Sequence, residues 1–373
     1  MHILFAGGGT AGHINPALAI AGYIREKHPD ARISYIGTAD KLEAKLVPEK
    51  GYNFRTIEVA GFQRKLTPSN IKKNIIAIKK AITASSKARK ILKELNPDVV
   101  IGTGGYVSGP VLREAAKLGI KNAIHEQNAF PGVTNKMLSK HTDVVMLAMP
   151  EAKNHLKLKK EPIITGNPVR QELLNMSYFE ARKKLSLDER PLILSFGGSL
   201  GARRINEAVE DLIKWHANSG KYYHIHGTGK SGYTAMLEHL KEKSLEKLPK
   251  EIQIREYISD MDVCMAAADV VICRAGAITL SELQACGKPS ILIPSPYVAE
   301  NHQFHNAMTL KLNGAAEIIE EKDLSGKKLT EVVEKLLKEK SILDKMSKKA
   351  KENAIIDANQ RIYKIIMQLY NSK

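Results

Sequence analysis

Two stretches of this chain repeat the same motifs in the same order, and this internal repeat limits the possible fold more than any other feature. The run GGTAGHIN at residues 8–15 corresponds to GGSLGARRIN at residues 197–206, and DVVIGTGG at residues 98–105 corresponds to DVVICRAG at residues 269–276. In each copy, glycines lie between an apolar strand pattern and a helical pattern. The repeat therefore predicts two copies of one structural unit.

Short apolar runs alternate with longer helix-periodic segments along the chain. The predicted strands are Ile3–Ala6, Ile33–Ile36, Val99–Ile101, Ala123–His125, Val144–Leu147, Leu192–Phe196, His224–His226, Val270–Cys273 and Ser290–Ile293. Strands separated by helices are typical of parallel βαβ units. We therefore predict an α/β fold of two Rossmann-like, doubly wound domains facing a cleft, with the ligands in that cleft.

The predicted domain boundary lies at Gly166, where a strand ends in turn residues. It divides the chain into an N-terminal domain over residues 1–166 and a C-terminal domain over residues 167–348. Residues 349–373 are predicted to form a C-terminal helix that packs back on the N-terminal domain. The amphipathic pattern of this helix runs from Ala354 to Leu369.

Charge and cysteine content limit the class of partner and the compartment. The formal net charge is +17, and residues 1–165 contain 26 basic and 13 acidic side chains, so the first half faces an anionic partner. The three cysteines Cys264, Cys273 and Cys286 form no C-x-x-C pair. Their number and spacing argue against a disulfide framework or a zinc cage and fit a reducing compartment.

The sequence pattern contains neither an export signal nor a membrane-spanning run. The apolar start Met1–Ala6 reaches glycine too soon for a signal peptide. No stretch of ~18 uninterrupted apolar residues occurs. We therefore predict a cytoplasmic protein whose membrane contact is peripheral.

A basic amphipathic segment extends from Arg64 to Lys93, with ten basic residues and no acidic one. The set predicted to contact membrane is Ile71, Ile75, Ile78, Ile82, Lys72 and Lys79. An apolar stripe edged by lysines is typical of proteins that lie on an anionic bilayer. Alternatively, the isoleucines pack on the sheet and the lysines are only solvated. Nucleic acid is not expected, because no aromatic residue interleaves the lysines.

Each glycine turn directs backbone N–H groups and a helix dipole at one point, which suits phosphate. The residues Gly7, Gly9 and Gly12 also match the dinucleotide fingerprint, but NAD would require an acidic residue where Gly37 follows the second strand. The P-loop pattern is absent from the sequence, so phosphoryl transfer is not expected. The sequence also shows no paired acidic cluster of the kind that binds a metal ion. We expect two phosphorylated substrates, or one that spans the cleft, and a reaction without metal or cofactor.

Two side chains beside these turns are candidate bases. His13 begins the helix after the first turn, where a neutral imidazole can accept a proton, unless it only caps or lines the turn. Glu126, in the polar run 125–128, is the second candidate, unless that run is a surface turn. The amide-rich stretch 301–306 suits sugar hydroxyls. Glu282 can accept two ribose hydroxyls or can be an ordinary surface charge.

Six motifs together carry a specific resemblance. They are FAGGGTAGH (5–13), GGYVSGP (104–110), HEQN (125–128), GNPVR (166–170), GGSLGA (197–202) and RAGAITLSE (274–282). In this order they resemble the MurG family, bacterial transferases that add N-acetylglucosamine to lipid I to make lipid II, the peptidoglycan precursor. The resemblance covers almost the whole chain. It implies a GT-B glycosyltransferase fold, with the lipid-linked acceptor on the N-terminal domain and UDP-N-acetylglucosamine on the C-terminal domain.

The resemblance also implies site residues. Those for the donor are Thr10, Ala11, Gly12, Asn128, Arg170, Ser199, Ile258, Ala277, Ile278, Thr279, Leu280, Ser281, Glu282 and Gln303. By this similarity, Ser199 and Arg170 hold the diphosphate. Glu282 holds the ribose, and the backbone of Ile258 holds the uracil. His13 is the usual candidate base, with Tyr106 and Glu126 on the acceptor side.

The resulting hypothesis is an inverting transfer, in which the muramyl C4 hydroxyl, deprotonated by His13 or Glu126, attacks the anomeric carbon opposite UDP. Expected partners are UDP-N-acetylglucosamine, lipid I, anionic inner-leaflet lipids and cell-wall synthesis proteins, at the cytoplasmic face of the cell membrane. One alternative is a UDP-N-acetylglucosamine 2-epimerase of related GT-B architecture. Another is a membrane-docking protein that binds a nucleotide only as a switch.

Overall fold

A computed structural model describes residues 1–61, 67–198 and 201–372, without the side chains of residues 68–79 and 81. The chain divides into two compact units. Unit 1 comprises Met1–Pro168 together with Asp357–Lys373, and unit 2 comprises Val169–Ile356.

Unit 1 contains a sheet of seven parallel strands in the order β3-β2-β1-β4-β5-β6-β7. The strands are β1 (His2–Gly7), β2 (Arg32–Gly37), β3 (Asn53–Thr56), β4 (Val99–Gly104), β5 (Lys121–Glu126), β6 (Val144–Leu147) and β7 (Ile163–Ile164). The helices are α1 (Ala11–Lys27), α2 (Glu43–Glu49), α3 (Pro68–Leu95), α4 (Gly105–Lys117), α5 (Val133–Leu138), a 3₁₀ helix (Pro150–His155) and the last helix of the chain, α15 (Ala358–Asn371). The strand order reverses between β1 and β4, which is where such sheets bind ligands.

Unit 2 contains a sheet of six parallel strands in the order β10-β9-β8-β11-β12-β13. The strands are β8 (Leu192–Phe196), β9 (Tyr223–Gly227), β10 (Ile252–Arg255), β11 (Val270–Cys273), β12 (Ser290–Leu292) and β13 (Ala316–Ile318). The helices are α6 (Gln171–Asn175), α7 (Tyr178–Lys184), α8 (Arg203–His216), α9 (Tyr233–Glu242), α10 (Met261–Ala267), α11 (Ala277–Ala285), a 3₁₀ helix (Ala299–Asn301), α12 (His302–Leu312), α13 (Gly326–Lys338) and α14 (Lys340–Glu352).

The repeat seen in the sequence is a repeat of structure. Strand β1 pairs with β2 and β4 in unit 1, and β8 pairs with β9 and β11 in unit 2. The glycine runs therefore follow equivalent central strands, and the predicted class of two Rossmann-like parallel sheets is confirmed. Strands β3, β10 and β13 are not among the predicted strands. These strands are short and lie at sheet edges, so they lack the continuous apolar runs of strands buried on both faces.

Helices cover both faces of the unit 1 sheet. On one face, Ile20 of α1 and Ile366 of α15 belong to one buried cluster, together with Ile3 of β1. On the other face, Leu92 of α3 and Leu112 of α4 belong to a second cluster. This double cover explains why β1 and β4 carry apolar side chains on both faces.

The C-terminal region differs from the predicted single helix. The side chain of Asn353 donates a hydrogen bond to Lys349 O at 2.9 Å and closes α14, which belongs to unit 2. Helix α15 then begins at Ala358 rather than at Ala354, and it packs on α1 of unit 1. Ile356, which lies within the predicted helix, is 56% exposed. The apolar periodicity therefore continued across a real helix end.

Unit 2 buries a row of hydrogen-bonded polar side chains between β8, β9 and α8, here called the histidine row: His216, His224, Ser195 and His226. His216 Nε2 lies 3.0 Å from His224 Nδ1. Ser195 Oγ lies 2.7 Å from His224 Nε2 and 2.7 Å from His226 Nδ1. Burial lowers the pKa of His216 to about 4 and that of His226 to about 3, and it also lowers the pKa of His224. The three rings are therefore neutral at pH 7.

We expect Ile366→Ala to lower the free energy of unfolding by about 2–4 kcal/mol, because it removes a fully buried side chain between α15 and the sheet. Urea unfolding followed by circular dichroism measures this loss. The matched control is Gln368→Ala on the exposed face of the same helix, which should change stability by less than about 0.5 kcal/mol. Equal effects of the two substitutions would mean that α15 is not part of the unit 1 core.

We also expect unit 2 to lose stability as the pH falls from about 6.5 to about 4. The unfolded chain binds protons on these rings below pH 6.5, whereas folded His216 does so only near pH 4, so acid favours unfolding. His216 alone accounts for a loss on the order of 3 kcal/mol across this interval. Urea unfolding at several pH values can be followed by the fluorescence of Trp215, the single tryptophan, which stacks on Tyr222.

The control for this pH dependence is His216→Gln. Its amide can take the place of ring Nε2 in the contact with His224, but it does not titrate in this range. The acid-induced loss of stability should therefore be smaller in this variant. A pH dependence identical to that of the unaltered chain would exclude His216 as a source of the acid sensitivity.

Candidate active site

The predicted residues of unit 1 follow the carboxyl ends of three adjacent strands. The first glycine turn, residues 7–10, joins β1 to α1, Gly104 ends β4, and Glu126 ends β5. Gly105 has a φ of +76°, and a Cβ on it would lie 2.3 Å from Gly8 O. Only glycine allows this contact, so the two turns meet backbone to backbone at one edge of the sheet.

The buried carboxylate of Glu43 fixes the first glycine turn by a hydrogen bond. Its Oε2 accepts a hydrogen bond from Gly9 N at 3.1 Å, and its Oε1 accepts from Thr38 N at 3.1 Å and Thr38 Oγ1 at 2.9 Å. A Cβ on Gly8 would lie 2.2 Å from this carboxylate. The N–H of Gly9 is thus satisfied inside the protein. Glu43 lies six residues beyond Gly37, the position at which the dinucleotide pattern requires an acid, and it was not among the predicted site residues.

His13 lies in the first turn of α1 with its ring against the β4–α4 turn. A Cβ on Gly104, whose φ is +109°, would lie 2.7 Å from His13 Nδ1. The same nitrogen lies 3.3 Å from Gln127 Oε1. Gln127 Nε2 in turn donates to His125 O at 2.9 Å. These contacts bring His13 and the polar run after β5 together, and the ring remains partly exposed.

Glu126 is buried, and four N–H groups surround its carboxylate. Oε1 accepts from Asn128 N and Asn128 Nδ2, both at 3.0 Å. Oε2 accepts from Gly132 N at 3.1 Å and Asn135 Nδ2 at 2.8 Å. A buried carboxylate needs such partners. This one fixes the loop from β5 to α5, including the half-buried Asn128.

The other predicted residues of unit 1 lie at the surface of the same edge. Thr10, Ala11 and Gly12 are exposed. Tyr106, in the first turn of α4, is 54% exposed, and its ring lies against Gly61. These residues are accessible to a ligand from solvent.

In unit 2 the predicted residues also follow strand ends. The run from Ala277 to Glu282 forms the start of α11, after β11. Glu282 is buried and accepts an ion-paired hydrogen bond from Arg170 Nε at 2.7 Å, and the Arg170 side chain is 53% exposed. Two residues predicted for ribose and diphosphate are therefore direct neighbours.

The other residues predicted to bind the sugar donor differ in how accessible their side chains are to a ligand. Ile278, Thr279 and Ser281 are half-buried, whereas Leu280 is fully buried and its N–H donates to Gly276 O at 3.0 Å. The structure therefore does not support a contact between the Leu280 side chain and the sugar donor.

Two predicted residues lie on the loops beside α11, and one cannot be described. The Ile258 side chain is buried, which leaves its backbone for recognition. Gln303 Oε1 accepts from Ser295 N at 2.9 Å. Ser199 lies outside the described residues.

Arg274 connects three segments at this edge of unit 2. It belongs to the motif 274–282 but was not predicted as a site residue. Its guanidinium donates to Ile293 O at 3.1 Å and Pro294 O at 3.3 Å and pairs with the buried Glu321. It thereby joins the segments that follow β11, β12 and β13. Such a contact between distant strands has no local sequence signal.

Of the predicted membrane set, Ile82 is 66% exposed on α3. The side chains of Ile71, Lys72, Ile75, Ile78 and Lys79 lie outside the described residues. Two further apolar side chains are exposed on α5, Val133 at 50% and Met137 at 66%. Among the helices that are described, none is long and apolar enough to cross a membrane.

Comparison with known families gives a consistent result for both halves of the chain. Residues 3–147 match the glycosyltransferase family 28 N-terminal domain, and residues 192–362 match the glycosyltransferase family 28 C-terminal domain. A relative from Acetivibrio thermocellus is 48% identical over 374 residues, which cover 100% of this chain and 99% of the relative. That relative is named UDP-N-acetylglucosamine–N-acetylmuramyl-(pentapeptide) pyrophosphoryl-undecaprenol N-acetylglucosamine transferase.

Two solved structures share the fold of this chain. The crystal structure of Acinetobacter baumannii MurG is 29% identical, with a TM-score of 0.80 and coverage of 98% of this chain and 99% of that one. A UDP-GlcNAc 2-epimerase from Neisseria meningitidis, solved with UDP-GlcNAc bound, is 12% identical with a TM-score of 0.64, over 99% of this chain and 100% of that one, and it shares the fold alone. With both domain models matched and a relative this similar over its full length, the chain belongs to glycosyltransferase family 28 and, within it, to the MurG family of GT-B enzymes.

Proposed function

We propose that this protein transfers N-acetylglucosamine from UDP-N-acetylglucosamine to the C4 hydroxyl of the N-acetylmuramyl residue of lipid I, with inversion, and so makes lipid II for peptidoglycan. The observation that carries this proposal is the 48% identity, along the whole chain, to a relative named for this transfer. The likeness to an epimerase rests on 12% identity and supports only the shared architecture.

His13 is the proposed general base, and Gln127 sets its tautomer. The Gln127 amide donates through Nε2 to His125 O, so its Oε1 is the acceptor that faces His13. His13 Nδ1 therefore carries the proton, and the lone pair lies on Nε2. A lone pair on a partly exposed ring can take the proton of the attacking sugar hydroxyl.

Glu126 is a positioning residue in this proposal, not the base. Both of its oxygens already accept two hydrogen bonds, and the group is buried. A base needs an accessible lone pair within reach of the substrate proton. Glu126 instead holds Asn128 and the loop beside His13.

Donor binding is assigned to unit 2. Arg170 is proposed to hold the diphosphate, and Glu282 the ribose hydroxyls. The ion pair between Arg170 and Glu282 supports this assignment. It places the guanidinium next to the carboxylate, so both groups can contact the same nucleotide. Charge that develops on the departing UDP is stabilised by Arg170 and by the N-terminal turns of the helices that follow the glycine turns.

Peripheral binding to the cytoplasmic face of the cell membrane is part of the proposal. Its support is the basic segment 64–93, with the exposed Ile82, together with the exposed Val133 and Met137 on α5 of the same unit. Exposed apolar side chains among lysines bind anionic bilayers, and lipid I is held in such a bilayer by its lipid tail.

We expect His13→Ala to lower kcat about 10²- to 10⁴-fold, because the substrate hydroxyl loses its proton acceptor. The donor KM should stay within about threefold of its original value, since the residue acts on the acceptor hydroxyl. Steady-state kinetics with a soluble lipid I analogue measure both constants.

The control is Glu126→Gln, which keeps the shape but replaces a carboxylate oxygen by an amide. This variant should lose stability and raise KM, while kcat falls less than about tenfold. If Glu126→Gln loses kcat and His13→Ala retains it, the two roles are reversed.

The activity itself is tested with labelled UDP-N-acetylglucosamine. We expect label in a lipid-linked disaccharide and release of UDP only when a lipid-linked muramyl acceptor is present, with the same result in the presence of a chelator. Conversion of the donor to the manno sugar without any acceptor would instead identify an epimerase. Binding of UDP without any turnover would leave only a nucleotide-binding role.

A further inference from the structure

The histidine row of unit 2 continues to a residue at the glycine turn after β8. His226 Nε2 lies 3.2 Å from Asn206 Oδ1, and Asn206 Nδ2 donates to Thr228 O at 3.1 Å. Asn206 belongs to the first turn of α8, and its N–H donates to Ala202 O at 3.0 Å. The row therefore ends where the described part of the turn, Gly197, Gly198, Gly201 and Ala202, enters the helix.

The hydrogen bonds of this row run in one direction only. Because Asn206 donates to Thr228 O, its Oδ1 is an acceptor, and His226 must donate from Nε2. A neutral His226 then accepts at Nδ1 from the Ser195 hydroxyl, which leaves that oxygen to accept from His224 Nε2.

The same reasoning extends to the far end of the row. His224 accepts at Nδ1 from His216 Nε2, and His216 Nδ1 has no hydrogen-bond partner among the described residues. Every proton in the row is thus assigned by one donor, the Asn206 amide. Reversal of that amide would place its oxygen against Thr228 O and would exchange the donor and acceptor roles along the whole row.

Thr228 links the Asn206 amide to the glycine turn. A Cβ on Gly201, whose φ is +76°, would lie 2.1 Å from Thr228 O, so the turn rests directly on this carbonyl. Gly232 meets the same pair, because a Cβ there would lie 2.3 Å from Asn206 Nδ2 and 3.0 Å from Thr228 O. Thr228 is fully buried and its N–H donates to Arg255 O at 3.0 Å. The turn thus has a fixed support.

We propose that the histidine row and Asn206 are a positioning device that holds Gly201 and the N-terminal turn of α8 where they bind the diphosphate of the donor. This inference rests on the proposed function, in which the N-terminal turn of this helix stabilises the charge on UDP. Its residues act through Thr228 O and touch no substrate. A row of apolar side chains could fill the same space without the cost of burying polar groups, but it would not orient the amide.

The test compares His226→Asn with His226→Gln in the full chain, using titration calorimetry with UDP and with uridine. The amide of Asn can replace only Nδ1, so its contact with Asn206 is lost, whereas the amide of Gln can replace Nε2 and keep that contact. We expect His226→Asn to bind UDP about tenfold more weakly and His226→Gln to bind within about twofold of the unaltered chain. Uridine, which lacks phosphate, should bind all three equally.

A loss that is equal for UDP and uridine, or no loss for either ligand, would overturn the proposal, because the row would then have only a general structural role. If His226→Asn does not fold, Asn206→Asp gives the same test. Its carboxylate still accepts from His226 but cannot donate to Thr228 O, and the same selective loss of UDP binding is expected. If the unaltered chain binds UDP but transfers no sugar to lipid I, the proposed function fails independently of this result.

Discussion

Backbone contacts at glycine determine the geometry of both candidate binding edges. In unit 1, Gly105 approaches Gly8 O so closely that no side chain fits between the turns after β1 and β4. In unit 2, Gly201 rests in the same way on Thr228 O. The helices that begin at these turns, and the polar residues in their first turns such as His13 and Asn206, are therefore fixed first by main-chain contacts, to which buried side chains such as Glu43 add hydrogen bonds.

Much of the fold could be predicted, because it follows from local patterns in the sequence. The repeated runs at 8–15 and 197–206 correctly identified two similar units, and the apolar strands of each sheet centre were located from their composition. Edge strands such as β13 were missed because a strand of three residues, paired on one side, needs few apolar side chains. The helix end at Asn353 was missed because it depends on a side-chain cap rather than on periodicity.

The chemistry of the site was predictable in residue type but not in role. Glu126 resembled a base because it follows a buried strand, yet its partners Gly132 and Asn135 come from a loop that folds back on it. Glu43 and the histidine row depend on hydrogen bonds between residues far apart in sequence. Spacing alone does not encode these pairings. The proposal of His13 as the base, in contrast, has a local signal, because the residue directly follows the glycine turn.

Unit 1 is discontinuous, since its last helix follows the whole of unit 2 in the chain. During synthesis, one face of the unit 1 sheet therefore stays without the cover of α15 while residues 169–356 are translated, a delay of roughly 10–40 s at ordinary ribosome speeds. The side chains of α1 that pack on α15 lack this partner for that period. Unit 1 can therefore complete its core only after the whole of unit 2 has been synthesised.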